Sequence, residues 1–406
     1  MRKHKFPDWF KQAWPDSRLD AMKADGDTLA DATVSAIFAA GERELVNAIL
    51  PVLHQPDQWP PATPPALRTY LASSQQLPAW ADRASLTRAY QFMRLHGVRY
   101  NVVLLFLSLP ILNSWQVGGA QTLALTGQLS QRFARRLSET LRFVRAVIKE
   151  QGMGPQGEGV RTTQKVRLMH ATIRHFARGA GCPGGVAYWN PDWGQPINQE
   201  ALTATMLAFS TLAVNGLRKL DVPVTPQDEA DLLHLWKVIG HILGIRDENM
   251  PASTEEAQFL WKKCIDRNCG RSASGVMLAA THIQFMRDLV KGDPILTAAL
   301  GDGDAALMRY LMGYRIAVRM LGIPRPGIWG LVVTLVRDLF GMTEMIVDMD
   351  QPLQKWLQEN AANLLETLQE FWDTLDGSRP FHLPSEAEAT GGLGRACMLT
   401  SGGSTA

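Results

Sequence analysis

Between Gln131 and Lys149 the large apolar residues Phe133, Leu137, Leu141, Val144 and Ile148 recur at intervals of three and four. A helix gathers such a set on one face; a strand would scatter it over both. The same reading extends along most of the chain. A helix over about 163–178 ends in Gly179, Gly181, Cys182, Pro183 and two further glycines, which stop a helix firmly. Asn198 reads as an N-cap, followed by a stripe of Leu202, Met206, Phe209 and Ala213. Thr225-Pro226-Gln227-Asp228 opens another helix, which ends at Gly244. Thr254-Glu255-Glu256 starts a further one, and helical stretches are expected over 276–291, 304–321, 328–341 and 351–376. The apolar run Val102–Leu109 fits a buried strand or a buried helix equally well. No sustained alternation of strand type and no internal repeat stands out, so the expected class is all-α.

Composition excludes other classes. The 406 residues are 46% hydrophobic and 20% charged, an ordinary globular balance. Lys+Arg is 41 against Asp+Glu 39, and a net charge of +2 gives no basis for a nucleic-acid partner. The four cysteines, at 182, 264, 269 and 397, make no C-x-x-C pair and no zinc spacing, and are expected as reduced thiols. The longest apolar run, Val102–Leu112, is broken by Ser108 and Pro110 and is shorter than the roughly 20 residues of a membrane span. No apolar h-region follows the basic start MRKHKFPDWF. The expected location is cytoplasmic if the chain is complete, and secreted if a leader was removed. The proline-rich stretch 51–65 reads as a loop, and 387–406, rich in Gly, Ser and Thr, as a disordered tail.

The stretch 166–175, VRLMHATIRH, carries the most chemistry. On a helix His170 shares a face with Arg167, three residues before, and Arg174, four after. A cation on each side should keep the imidazole neutral and able to bind a metal. The two guanidiniums could meet two ligand carboxylates, an arrangement that suits haem: iron for the imidazole, propionates for the arginines. The same pattern also fits a helix whose His and Arg side chains satisfy buried acids or carbonyls. Arg136 and Thr140, four apart, could hydrogen-bond O₂ in a pocket, or lie on a solvated or capping face. His234 and His241 are roughly 10 Å apart along a helix, too far to share one small ion, and read as core histidines. There is no Walker loop, no H-E-x-x-H and no G-x-S-x-G. QGMGPQGEG (151–159) follows a helix and is a loop, and Asp348-Met349-Asp350 lacks the rest of a calcium loop.

Three blocks, KVRLMHATIRH (165–175), PINQEALTATMLAFS (196–210) and LHLWKVIGHILGI (233–245), together resemble the oxygenase family of bacterial latex-clearing proteins (rubber oxygenases) and the fungal mycophenolic-acid-pathway oxygenase. The resemblance implies a globin-like helical core with additional helices and one haem b. It further implies use of O₂ to cleave C=C bonds of cis-1,4-polyisoprene or a related apolar alkene. His170 matches the proximal iron ligand. Arg167, Arg174 and His175 match positions around the haem, and Arg136 and Thr140 match the distal Arg and Thr. Thr205, His234 and His241 match further motif positions. The implied organisation is an N-terminal helical extension (1–85), a haem-binding oxygenase core (86–345), a C-terminal helix (346–386) and the tail (387–406). The sequence leaves the oligomeric state unknown.

Two positions depart from the family. A Lys that can cap the iron is replaced by Glu139, and the distal Glu used as a candidate base aligns with Gly118-Gly119-Ala120-Gln121. No Asp or Glu occurs between Asp82 and Glu139. These departures motivate a second reading, a haem-binding sensor or carrier of the same fold without oxygenase turnover.

Overall fold

A computed structural model describes residues 6–53, 58–115, 133–154, 157–178, 189–290 and 303–324, together with Leu383. The helices are α1 (Asp8–Ala13), α2 (Asp16–Ala24), α3 (Thr28–Ala39), α4 (Arg43–Ile49), α5 (Pro65–Ser74), α6 (Arg83–Val103) and α7 (Leu109–Leu112). They continue as α8 (Phe133–Ile148), α9 (Glu158–Ala177), α10 (Gln199–Leu207), α11 (Ala213–Lys219), α12 (Pro226–Leu243), α13 (Thr254–Asn268), α14 (Ala273–Val290) and α15 (Gly303–Met312). Among the described residues there is no strand, only an isolated bridge between Trp115 and Cys269.

The caps explain the boundaries. Asn198 accepts from the Ala201 N–H and starts α10, while Thr225 and Asp228 form a reciprocal capping box on α12. Gly244 ends α12 in the left-handed conformation at φ 96°. α9 begins five residues earlier than the periodicity suggests. The extended backbone of Gly157 turns the chain, and Glu158 supplies an acid to the first helical turn. The stretch expected as 304–321 breaks at Gly313. The stretches 328–341, 351–376 and the tail lie outside the described residues.

Val102–Leu109 is helical, with a π-type turn over Leu104–Ser108 just ahead of Pro110. Pro110 has no N–H for the Phe106 carbonyl, so the helix widens there. A second π turn, Ala208–Leu212, joins α10 to α11 and packs against the first. Widening leaves carbonyls short of a helical donor, and side chains of the other helix supply one. Tyr100 donates to the Phe209 carbonyl at 2.6 Å and Ser108 to that of Ala208 at 2.7 Å. By length and composition the 30-residue run Arg83–Leu112 could cross a membrane; a buried core helix meets the same criteria. One face of it, including Leu86, Met93, Tyr100 and Leu107, is buried in the core.

The main core gathers α6 and α10–α13 around Tyr100, Phe209 and Trp236. A smaller core joins α3–α5 to Leu168 and Ala171 of α9. The expected N-terminal extension thus builds one wall of α9. Buried Leu383 belongs to this wall too, exchanging hydrogen bonds with Asn47.

Candidate functional site

α9 stands between the two cores, and its wheel explains its chemistry. Leu168 and Ala171 turn to the N-terminal cluster, and His170 lies some 100° round from Ala171. Arg167 and Arg174 occupy the border between them. His170 is half-buried, and its Nδ1 is buried without a hydrogen-bond partner. Burial first, then the Arg174 guanidinium, against an opposing effect of Asp27, hold its pKa down to about 3. The imidazole is therefore neutral through the physiological range, as the sequence suggests. The cause is chiefly desolvation rather than two flanking cations.

The arginines are paired within the chain. Arg167 donates from Nε and Nη2 to the two carboxylate oxygens of Asp27, at 2.6 and 2.8 Å, and from Nη1 to the Ile242 carbonyl at 3.1 Å. Arg174 donates from Nε to Asp31 at 2.6 Å and from Nη1 to the Ile197 carbonyl at 3.2 Å. Only its Nη2, buried and 4.0 Å from Asp27, lacks a hydrogen bond. Both guanidiniums meet acids and carbonyls of the chain itself, one of the two arrangements the motif allowed. A buried guanidinium must be paired, and Asp27 in the turn between α2 and α3 and Asp31 in the first turn of α3 pair these two.

That turn is a junction of all three motif blocks. Gln199, fully buried, donates to the carbonyls of Gly26 and Gly244 and accepts from the N–H of Arg246. Asp27 also caps α3 by accepting from Ala30. A Cβ on Gly244 would lie 2.5 Å from Asp27 Oδ2 and 2.8 Å from Arg167 Nε, so a glycine is needed there for space as well as for its positive φ. Asp27, Asp31 and Gln199 are absent from the sequence-based site. Asp27 is recognisable as a cap, but a pairing across 140 residues leaves no local signal.

The other expected residues are dispersed. His175 stacks on Phe38 of α3, with ring centroids 4.9 Å apart, and faces the N-terminal wall. Thr205 is half-buried and returns its hydroxyl to the Ala201 carbonyl at 2.8 Å. Thr140 is half-buried on α8, which packs along α9. Arg136 lies one turn earlier on α8, but its side chain is outside the described residues, as are Gly118–Gln121. Beyond Thr140 on α8, Phe143 joins Phe209 and Trp236 in an aromatic group. His234 accepts from the Asp82 N–H at 2.9 Å, and His241 pairs with Asp247 at 2.6 Å, so both serve structure. Cys264 and Cys269 are free thiols; Cys182 and Cys397 lie outside the described residues.

Among the described residues no three His, Cys, Asp or Glu side chains gather as a metal-binding set. The candidate ligand position on α9 is a single imidazole, His170. An open depression of about 510 Å³ at the start of α14, lined by Arg271, Val276, Met277 and Ala280 among others, includes no residue of α8 or α9.

Comparison with known proteins gives concordant results. Residues 98–344 match the sequence model described as ER-bound oxygenase mpaB/B'/Rubber oxygenase, catalytic domain. A rubber oxygenase of Streptomyces sp. (strain K30) is 26% identical over 349 residues, covering 82% of this chain and 80% of that one. A solved structure of latex clearing protein in the closed state superposes with a TM-score of 0.68 at 25% identity, covering 86% of this chain and 90% of the other.

Proposed function

The chain belongs to the mpaB/rubber oxygenase family, and on that premise we propose that it is a haem b-dependent dioxygenase whose iron is held by His170. The observation that carries this reading is the imidazole itself. It is neutral, and its Nδ1 is a buried polar atom with no partner. Those properties leave a ring free to take a ligand, and while His282 shares them, only His170 of the two stands in the block that resembles the family's ligand motif. A porphyrin brings its own four nitrogens, so one protein imidazole suffices and no clustered ligand set is required of the described residues.

Bound haem would supply the redox chemistry with O₂ that no side chain of the chain provides. The chain's part is to offer the neutral imidazole and to hold α9 in place. Arg136 and Thr140 would donate hydrogen bonds to oxygen from one turn of α8. The substrate class is an apolar alkene, cleaved at C=C, with cis-1,4-polyisoprene or a smaller isoprenoid or lipid alkene as candidates. Apolar side chains such as Phe143 and Phe209 suit such a molecule.

Glu139 and the acid-free stretch before it favour one alternative, a haem-binding sensor or carrier. O₂ uptake that depends on added alkene separates the two. The primary test is the visible spectrum of the haem-loaded chain before and after dithionite and CO. A Soret band that disappears in His170→Ala is the expected outcome; a wild-type chain that takes up no haem refutes the proposal.

A further inference from the structure

We propose that Asp27, in the turn between α2 and α3, is a positioning residue for His170: through Arg167 and Arg174 it fixes the helix that carries the imidazole and sets the charge behind it. The inference rests on the haem reading above. Asp27 lies well before residue 98, where the family match begins, so a chain cut to the matched segment would lack it.

The geometry is that of a clamp. Arg167 and Arg174 stand about one turn on either side of His170 on the same side of α9. Asp27 takes the first bidentately at 2.6 and 2.8 Å and lies 4.0 Å from Nη2 of the second. Asp27, Arg167 and Arg174 are 6%, 9% and 0% exposed, so their charges act through protein rather than water. Asp27 is itself held by its cap on Ala30, and the adjoining Gly26 carbonyl is held by Gln199. Asp31 belongs to the same network but binds Arg174 and Arg178, farther along the helix. The Asp27 carboxylate and the Arg174 guanidinium carry opposite charges beside the helical turns that flank His170. Groups behind a ligating imidazole orient it and tune the metal it holds.

The test is a potentiometric titration of the full-length, haem-loaded chain, comparing wild type with Asp27→Asn, Asp31→Asn, Asp27→Glu and Arg174→Gln. Loss of the Asp27 charge is expected to favour the ferrous form about tenfold, a rise of about 59 mV for a one-electron couple. Asp27→Glu should restore the wild-type value. Asp31→Asn, a comparable loss to the fold, should move the potential less. Arg174→Gln should move it the opposite way, and this variant serves if Asp27→Asn does not fold, because Asp31 keeps Arg178 as a partner. Equal shifts in the two Asn variants would overturn the proposal by showing a merely structural role. So would a shift of Arg174→Gln in the same direction as Asp27→Asn. A wild-type chain without a Soret band overturns the haem reading itself, and is told apart because it appears before any variant is made.

Discussion

Gly244→Ala probes the junction on which the site depends. Gly244 has φ 96°, a region that costs an alanine about 1–2 kcal/mol. The new methyl would also stand 2.5 Å from Asp27 Oδ2 and 2.8 Å from Arg167 Nε, inside contact distance for both. Neither partner can retreat freely. Asp27 caps α3 through Ala30, and Arg167 is tied to the Ile242 carbonyl two residues before the glycine. Breaking a buried ion pair outright costs about 3–5 kcal/mol. If the clash removes half of that, the sum with the backbone term is about 2.5–4.5 kcal/mol, a large share of the stability of an ordinary domain. Urea unfolding followed by far-ultraviolet circular dichroism measures it as a fall in midpoint at constant slope. A loss below about 1 kcal/mol would refute the reasoning, because the strain term alone should reach that value.

Two further outcomes follow from other parts of the core. Gly216→Ala places a methyl 2.5 Å from Val103 Cγ1 and 2.8 Å from Leu107 Cδ2 where α11 crosses the end of α6; with no positive φ involved, overpacking alone should cost about 1–3 kcal/mol in the same denaturation assay. His282 is 2% exposed, its Nε2 has no partner, and burial holds its pKa down to about 3. The unfolded chain therefore binds a proton below about pH 6.5 that the folded chain refuses, so stability falls as pH drops from 6.5 towards 3. At pH 5 this group contributes a loss of about 2 kcal/mol, and His282→Leu should remove that part of the difference between pH 7 and pH 5. An unchanged pH dependence in the variant would show that His282 is not the group responsible.

Much of this protein is local and therefore written in short stretches of chain. Helix periodicity, the Asn198 and Thr225 caps and the Gly244 stop depend on residues within a few positions of one another, and they are found where the sequence puts them. The blocks around His170, Gln199 and His234 carry the family resemblance for the same reason. The fate of Val102–Leu109 was ambiguous because apolar content without periodicity does not distinguish a buried strand from a buried helix. The helical outcome, widened ahead of Pro110, depends on partners in the second π turn.

The sequence by itself determined the helical class, the caps and the place of the imidazole at the centre of α9, while the burial that keeps it neutral is tertiary. Only the tertiary structure decided what the flanking arginines do. A guanidinium at 167 or 174 answers equally to a ligand carboxylate or to one of the chain's own, since both present the same charge and geometry. Asp27 and Asp31 reach them across 140 and 143 positions because α3 packs on α9, and no local pattern encodes that packing. Asp27 and Asp31, in a segment that shows no function as a linear sequence, thus hold the helix that carries His170. Burying a charge requires a partner, and the fold brings that partner from a distant part of the chain.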